Sequence, residues 1–74
     1  MKSNQDLLND KIKECICILS KINNKTFEEN VKVFSKLYVK FLNSNRINIQ
    51  ESISRNIDAI DLFRECLLQS VKTK

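Results

Sequence analysis

The 74-residue chain contains no glycine and no proline, and this double absence constrains its fold more than any other feature. Glycine and proline are the residues that most readily interrupt a helix, and glycine is also the usual residue of positive-φ turns. We therefore expect long helices joined by turns of other residues, chiefly Asn, whose side chain tolerates left-handed backbone. Lys, Asn and Ile make up 28 of the 74 residues, so AT-rich coding also contributes to the absence.

The length of the chain predicts one domain, residues 1–74, with a small core. Folding at this size buries only about 60% of the unfolded surface. The hydrophobic gain then roughly cancels the entropy lost on ordering, and a second copy or a partner helix would supply the missing burial. We expect an all-α fold, an antiparallel up-down-up three-helix bundle that dimerisation would complete.

Apolar residues recur at helical spacing in three stretches, which predicts helices over about 4–22, 27–43 and 49–71. Asn-rich segments at 23–25 and 43–45 separate them, and connections this short favour antiparallel neighbours. The predicted core residues are Leu8, Ile12, Cys15, Leu19, Ile22, Val31, Phe34, Tyr38, Phe41, Ile53, Ile57, Ile60, Phe63 and Leu67.

Each predicted helix begins at a residue that can cap it. Ser3 precedes the first helix, and Thr26 forms a capping-box pattern with Glu29 at the start of the second. Asn48 and Glu51 show the same spacing before the third. These signals predict where the three helices begin.

The net charge of +4 is carried by residues 30–50, where no acid occurs. Three lysines at four-residue spacing form one ridge opposite the apolar face of the second helix. The candidate partner- or anion-binding residues are Lys32, Lys36, Lys40 and Arg46. An opposite, acidic ridge lies on the first helix: Asp6, Asp10 and Glu14. Either ridge is a docking surface or a solvated helix face.

Some residues break the helical pattern. Val33, Val39 and Leu62 fall away from the apolar faces of their helices, whereas Asn56 and Arg64 fall among apolar residues. Asn56 is either a residue at the edge of the face or a register-setting contact, and Arg64 is either a surface-reaching side chain or an interface ion-pair donor. The candidate interface residues are Val33, Val39, Leu62 and Arg64.

The chain lacks most of the parts of an active site. It has no His, so nothing activates the thiols of Cys17 and Cys66 as nucleophiles. Cys15 and Cys17 lie about 200° apart on a helix and cannot grip one zinc ion. We expect reduced thiols, of which Cys15 and Cys66 are buried, and no enzyme, cofactor, metal or small-molecule substrate. Three acids of the third helix are typical of a solvated face: Asp58, Asp61 and Glu65.

The stretches 31–42 (VKVFSKLYVKFL) and 52–55 (SISR) resemble small bacteriocin-immunity proteins of the enterocin A immunity type. The resemblance covers less than half of the chain. It implies a cytosolic helical bundle that protects a producer cell at the membrane receptor complex of the bacteriocin. The chain is short for that family, with no room for a fourth full helix.

Three functions follow as hypotheses. The first is a non-enzymatic helical interaction module, a regulator, inhibitor or adaptor, that self-associates and binds another protein or a second copy. The second is an immunity-like protein. The third is a binder of nucleic acid or of an anionic membrane surface through the basic ridge.

No secretory signal follows the first residues, and the longest apolar run, at 15–19, is too short to span a bilayer, so we expect a cytoplasmic protein.

Overall fold

The computed structural model describes residues 3–49 and 52–72. It contains three helices, α1 (Asn4–Asn23), α2 (Phe27–Ser44) and α3 (Ile53–Lys72), which pack against one another. No strand occurs in either described segment. The predicted all-α three-helix bundle is confirmed.

Two ion pairs define how α1 and α3 lie together. Lys11 Nζ lies 2.6 Å from Asp61 Oδ1, and Arg64 Nη1 lies 3.0 Å from Glu14 Oε1. Both pairs join residues that are 50 apart in the chain, so the two helices run in the same direction. The short turn after α1 sends α2 back in the opposite direction, which gives the up-down-up order.

The centre of the core is an aromatic cluster. The ring of Phe63 lies 5.4–5.6 Å from the rings of Phe34, Tyr38 and Phe41, so α3 is held against the middle of α2. Eight of the predicted core residues are buried, as expected: Leu8, Cys15, Leu19, Phe34, Tyr38, Ile60, Phe63 and Leu67. Four more are partly buried against them: Ile12, Ile22, Phe41 and Ile57.

Two predicted core residues are instead exposed. Val31 is 39% exposed because the neighbouring Asn30, at 0%, takes the buried position in that turn of α2. Ile53 is 37% exposed because α3 begins there and not at residue 49. The core also contains residues outside the predicted set: Ile16, Ile18 and Ala59, together with Leu42, which the helical pattern places on the apolar face of α2.

The helix starts and the first turn follow the predicted chemistry. The Ser3 hydroxyl accepts from the Asp6 N–H, and Thr26 forms both halves of its capping box with Glu29. The hydrogen bonds from Thr26 lower the pKa of the Glu29 carboxyl. Asn24 has φ 57° and ψ 23°, so an Asn does make the left-handed turn after α1.

The connection between α2 and α3 corrects two predictions. Arg46, not an Asn, adopts the left-handed conformation, with φ 55°. Asn48 does not begin the third helix, because α3 starts at Ile53. The hydroxyl of the preceding residue, Ser52, accepts a hydrogen bond from the N–H of Arg55. The predicted role of Glu51 lies outside the described residues. Residues 47–49 are irregular because the chain leaves α2 through a helix-ending motif at Arg46 and not through a turn made by Asn.

Candidate interaction surface at the α2–α3 corner

The α2–α3 corner exposes two large apolar side chains. Val39 on α2 is 56% exposed and Leu62 on α3 is 57% exposed. They lie on opposite sides of the irregular segment 47–49, and each lines a shallow groove beside it. Contiguous exposed apolar surface marks contact sites, whereas singly scattered apolar side chains are ordinary, so it matters that these two side chains share one corner. The sequence placed both residues outside the core without showing that they share one corner.

The two grooves adjoin. The first, of about 310 Å³, is lined by Val39, Leu42, Asn43, Ile47, Asn48 and Ile49. The second, of about 230 Å³, is lined by Ile47, Asn48, Arg55, Asp58, Ala59 and Leu62. Because Ile47 and Asn48 belong to both, the grooves form one surface, which we name the corner surface and define by these lining residues.

A helix-ending motif holds the segment between the grooves in place. The N–H of Ile47 donates to the carbonyl of Leu42 at 2.9 Å, and the N–H of Arg46 donates to that of Asn43 at 3.2 Å. This pair of bonds, with a left-handed residue between, is a Schellman motif in which Arg occupies the usual glycine position. Ile47 and Ile49 also pack against the core. The corner surface is therefore fixed by backbone bonds and burial.

Charged residues of both signs, Arg55 and Asp58, line the second groove, and two lysines lie near Val39 along α2. On α2, Lys36 and Lys40 lie three residues before and one residue after Val39, and both are exposed. Asp58 is exposed and lines the second groove. Within the described residues, none of these three groups has an ion pair shorter than 4.0 Å. Their charges are therefore available to a partner.

All four residues of the predicted basic ridge are exposed. Among the described residues, no carboxylate pairs with Lys32, Lys36 or Lys40. The three lysines recur every four residues and thus share one face of α2. Arg46 lies beyond the helix, in the left-handed position. On the opposite ridge of α1, Glu14 pairs within the chain, with Arg64.

The structure divides the predicted interface residues. Val33 is partly buried and packs against the core, so it is not part of an exposed surface. Arg64 pairs with Glu14 of α1, and this hydrogen bond raises the pKa of its guanidinium. Arg64 is therefore an ion-pair donor within the bundle. Only Val39 and Leu62 of the predicted four lie together at an exposed surface.

Asn56 makes a polar contact between α2 and α3. The hydroxyl of Tyr38 donates to Asn56 Oδ1 at 2.5 Å and approaches the Asn56 carbonyl at 3.2 Å. This bond ties α2 to the first turns of α3. Burial raises the pKa of the Tyr38 hydroxyl to about 12, so it stays protonated and keeps donating at physiological pH.

Asn30 is a buried polar residue that the sequence analysis missed. Its side chain is 0% exposed and fully hydrogen-bonded. Its Nδ2 donates to Ser20 Oγ at 2.9 Å and to the Lys25 carbonyl at 3.3 Å, and its Oδ1 accepts from Asn23 Nδ2 at 2.7 Å. These bonds fasten the start of α2 to the end of α1. The sequence signal for the burial of Asn30 was weak, because an Asn next to an apolar helix face fits an exposed position at the edge of that face equally well.

The cysteines differ from the expected pattern. Cys15 is fully buried, and burial, with a contribution from the neighbouring Glu14 carboxylate, raises the pKa of its thiol to about 11. Cys17 is exposed as predicted, but Cys66 is exposed too, because it lies beyond the edge of the buried face of α3. No cluster of three or more His, Cys, Asp or Glu that could hold a metal occurs in segments 3–49 and 52–72.

Comparisons with family models, with curated proteins and with solved structures found no match to this chain. The resemblance to bacteriocin-immunity proteins therefore stays a prediction. Over the part of the chain that the structure describes, none of the three helices has the length and apolar character needed to cross a membrane.

Proposed function

We propose that this chain is a small, non-enzymatic protein-interaction module, a regulator, inhibitor or adaptor, that acts through the corner surface and self-associates. One observation carries the proposal: Val39 and Leu62, from two different helices, are each more than half exposed beside adjoining grooves. Leaving such side chains in water forgoes about 25 cal/mol for each Å² of apolar surface. A protein partner that covers both side chains and enters the grooves would recover that free energy.

Site-specific photo-crosslinking in cells that express the chain tests this proposal. A benzophenone amino acid at Leu62 is expected to yield a discrete protein adduct, either with another protein or with a second copy, which mass spectrometry identifies. The same probe at Gln69, an exposed position two turns further along α3, is the matched control. A Val39→Glu substitution should remove the Leu62 adduct. Equal, diffuse labelling from both positions would contradict the proposal.

The basic ridge supports a second candidate function, binding to an anionic polymer or membrane surface. The observation that favours it is the exposed, unpaired row of Lys32, Lys36 and Lys40 within the described residues. A ridge of this size neutralises about three phosphates, which predicts a slope near −3 in a plot of log affinity against log salt.

Binding to a labelled DNA duplex and to acidic phospholipid vesicles, each measured over a salt series, tests this function. Reversal of all three ridge lysines to Glu should abolish binding. Reversal of Lys13 and Lys21, which are exposed on α1, should leave most of it. Binding that ignores salt, or that survives the triple reversal, would refute this function.

A further inference from the structure

The outer face of α2 combines a row of lysines with exposed apolar side chains. Around the helix, Lys32 and Lys40 lie about 40° to either side of Lys36. Val39 lies about 60° from Lys36 on the Lys32 side, and Leu37 lies about 100° from it on the other side. Val39 is 56% exposed and Leu37 is 39% exposed. Apolar surface therefore flanks the lysine row on both sides.

The acids of α2 are confined to its first turn, which contains Glu28 and Glu29. Glu29 lies in line with the lysines, but its carboxylate accepts hydrogen bonds from the N–H and the hydroxyl of Thr26 and is thus turned back toward the start of the helix. No acid occurs from residue 30 to residue 49. The part of the face around Lys36 and Lys40 is therefore purely basic.

The lysine row is convex, because Lys36 lies about 180° around the helix from the middle of the buried face of α2. Neither groove of the corner surface is lined by Lys32, Lys36 or Lys40. A convex basic row suits a surface that can adapt its shape to it. A layer of anionic lipid headgroups has that property, since its phosphates can gather around the three ammonium groups.

The apolar flanks favour lipid over nucleic acid. A nucleic-acid backbone would pair with the lysines but would place charged phosphates against Val39 and Leu37. At a bilayer surface, apolar side chains enter the boundary between headgroups and acyl chains, while lysines extend their stems and keep their charged ends among the headgroups. Both parts of the α2 face then have a favourable environment.

We infer that the outer face of α2, formed by Lys32, Lys36, Leu37, Val39 and Lys40, docks on an anionic phospholipid surface with the helix axis in the membrane plane. This inference rests on the second candidate function and specifies its partner. Each lysine held near such a surface raises the affinity by about fivefold. Three lysines are fewer than stable anchoring requires, so the contact is reversible and weakens with salt.

An introduced tryptophan tests the inference, because the chain has none of its own. Val39→Trp places the reporter in the docking face, and Gln69→Trp, at an exposed position of α3, is the matched control. With vesicles of equal parts phosphatidylglycerol and phosphatidylcholine at low salt, emission from the first variant should shift to shorter wavelength and be quenched by brominated acyl chains. The control should do neither. Reversal of the three ridge lysines to Glu in the Val39→Trp chain should abolish both effects.

Vesicle sedimentation of chains without the reporter separates the two kinds of contact. Lys40→Gln should weaken binding to the same vesicles about fivefold, whereas Lys21→Gln, at an exposed position of α1, should leave it unchanged. Val39→Asn should weaken vesicle binding about three- to fivefold and change binding to a DNA duplex by less than about twofold. Circular dichroism of each variant verifies that the fold is retained.

Three results would overturn the inference. The first is equal binding to vesicles of phosphatidylcholine alone, and the second is a bound Val39→Trp chain whose emission is neither shifted nor quenched. The third is binding to the duplex without binding to the vesicles, which would leave the second candidate function standing with a nucleic acid as the partner. Absence of binding to both the duplex and the vesicles would remove the inference and that function together.

Discussion

Replacement of Asn30 by alanine is expected to lower the free energy of unfolding by about 2–3 kcal/mol. The side chain makes three hydrogen bonds, and each contributes about 0.5–1.5 kcal/mol net. The longest, 3.3 Å to the carbonyl of the exposed Lys25, can be replaced by water. The bonds to Ser20 and Asn23 cannot be replaced as readily, since both residues are partly buried. A domain of this size is stable by roughly 4–11 kcal/mol, so the loss is a large share of the total.

Asn30→Asp separates hydrogen bonding from size, because the two side chains have the same shape. The second carboxylate oxygen cannot donate to Ser20 Oγ or to the Lys25 carbonyl, and burial raises the pKa of the new carboxyl above its unfolded value of about 3.9. The charged form is thus disfavoured in the folded state. The destabilisation relative to wild type should be smallest near pH 4 and should grow as the pH rises through the folded pKa.

Urea unfolding followed by circular dichroism, at one protein concentration for all variants, measures both effects. Gln69→Ala and Gln69→Asp, on the exposed face of α3, are the matched controls and should stay within about 0.5 kcal/mol of wild type. The reasoning is refuted if Asn30→Ala falls within that same range. It is refuted equally if the difference between Asn30→Asp and wild type is the same at pH 4 and pH 7.

Three further predictions concern single residues. Arg46→Gly should stabilise the chain by about 0.5–1 kcal/mol in urea unfolding, because it removes a left-handed cost of about 1–2 kcal/mol and adds some unfolded-state entropy. Arg46→Val should destabilise it. Tyr38→Phe should cost about 1 kcal/mol by losing the hydrogen bond to Asn56, and the wild-type tyrosine should ionise near pH 12 by absorbance at 295 nm. Ellman's reagent should modify two thiols of the native chain rapidly and the third, Cys15, only on unfolding; three rapid reactions would contradict its burial.

The sequence predicts the bounds of a helix well where neighbouring residues alone determine them. The bounds of α1 and α2 agree with prediction to within one residue, because caps at Ser3 and Thr26 and a left-handed Asn24 act through neighbouring backbone alone. The start of α3 does not agree with the prediction. The Asn48–Glu51 spacing imitates a capping box, while the Schellman motif at Arg46 and the burial of Ile47 hold the following residues out of the helix.

The sequence predicted the exposed residues of the candidate site but not how they are arranged. Helical periodicity placed Val39 and Leu62 off the apolar faces, and the structure leaves both exposed. Arg64, which periodicity placed among apolar residues, was also predicted to be an interface residue, because periodicity carries no information about which helix lies opposite a given residue. The pairing of Arg64 with Glu14, and the meeting of two grooves at segment 47–49, depend on how the helices are docked.

The sequence separation of the contacts of α1 predicts the order in which the helices come together during folding. Among the described residues, the hydrogen bond from Asn30 to Ser20 of α1 spans 10 residues, whereas the two ion pairs of α1 with α3 each span 50. Closing the longer loop costs about 1.4 kcal/mol more chain entropy. The α1–α2 hairpin should therefore form early and the docking of α3 late. In stopped-flow experiments, Asn30→Ala should then slow refolding, while Arg64→Ala should mainly speed unfolding.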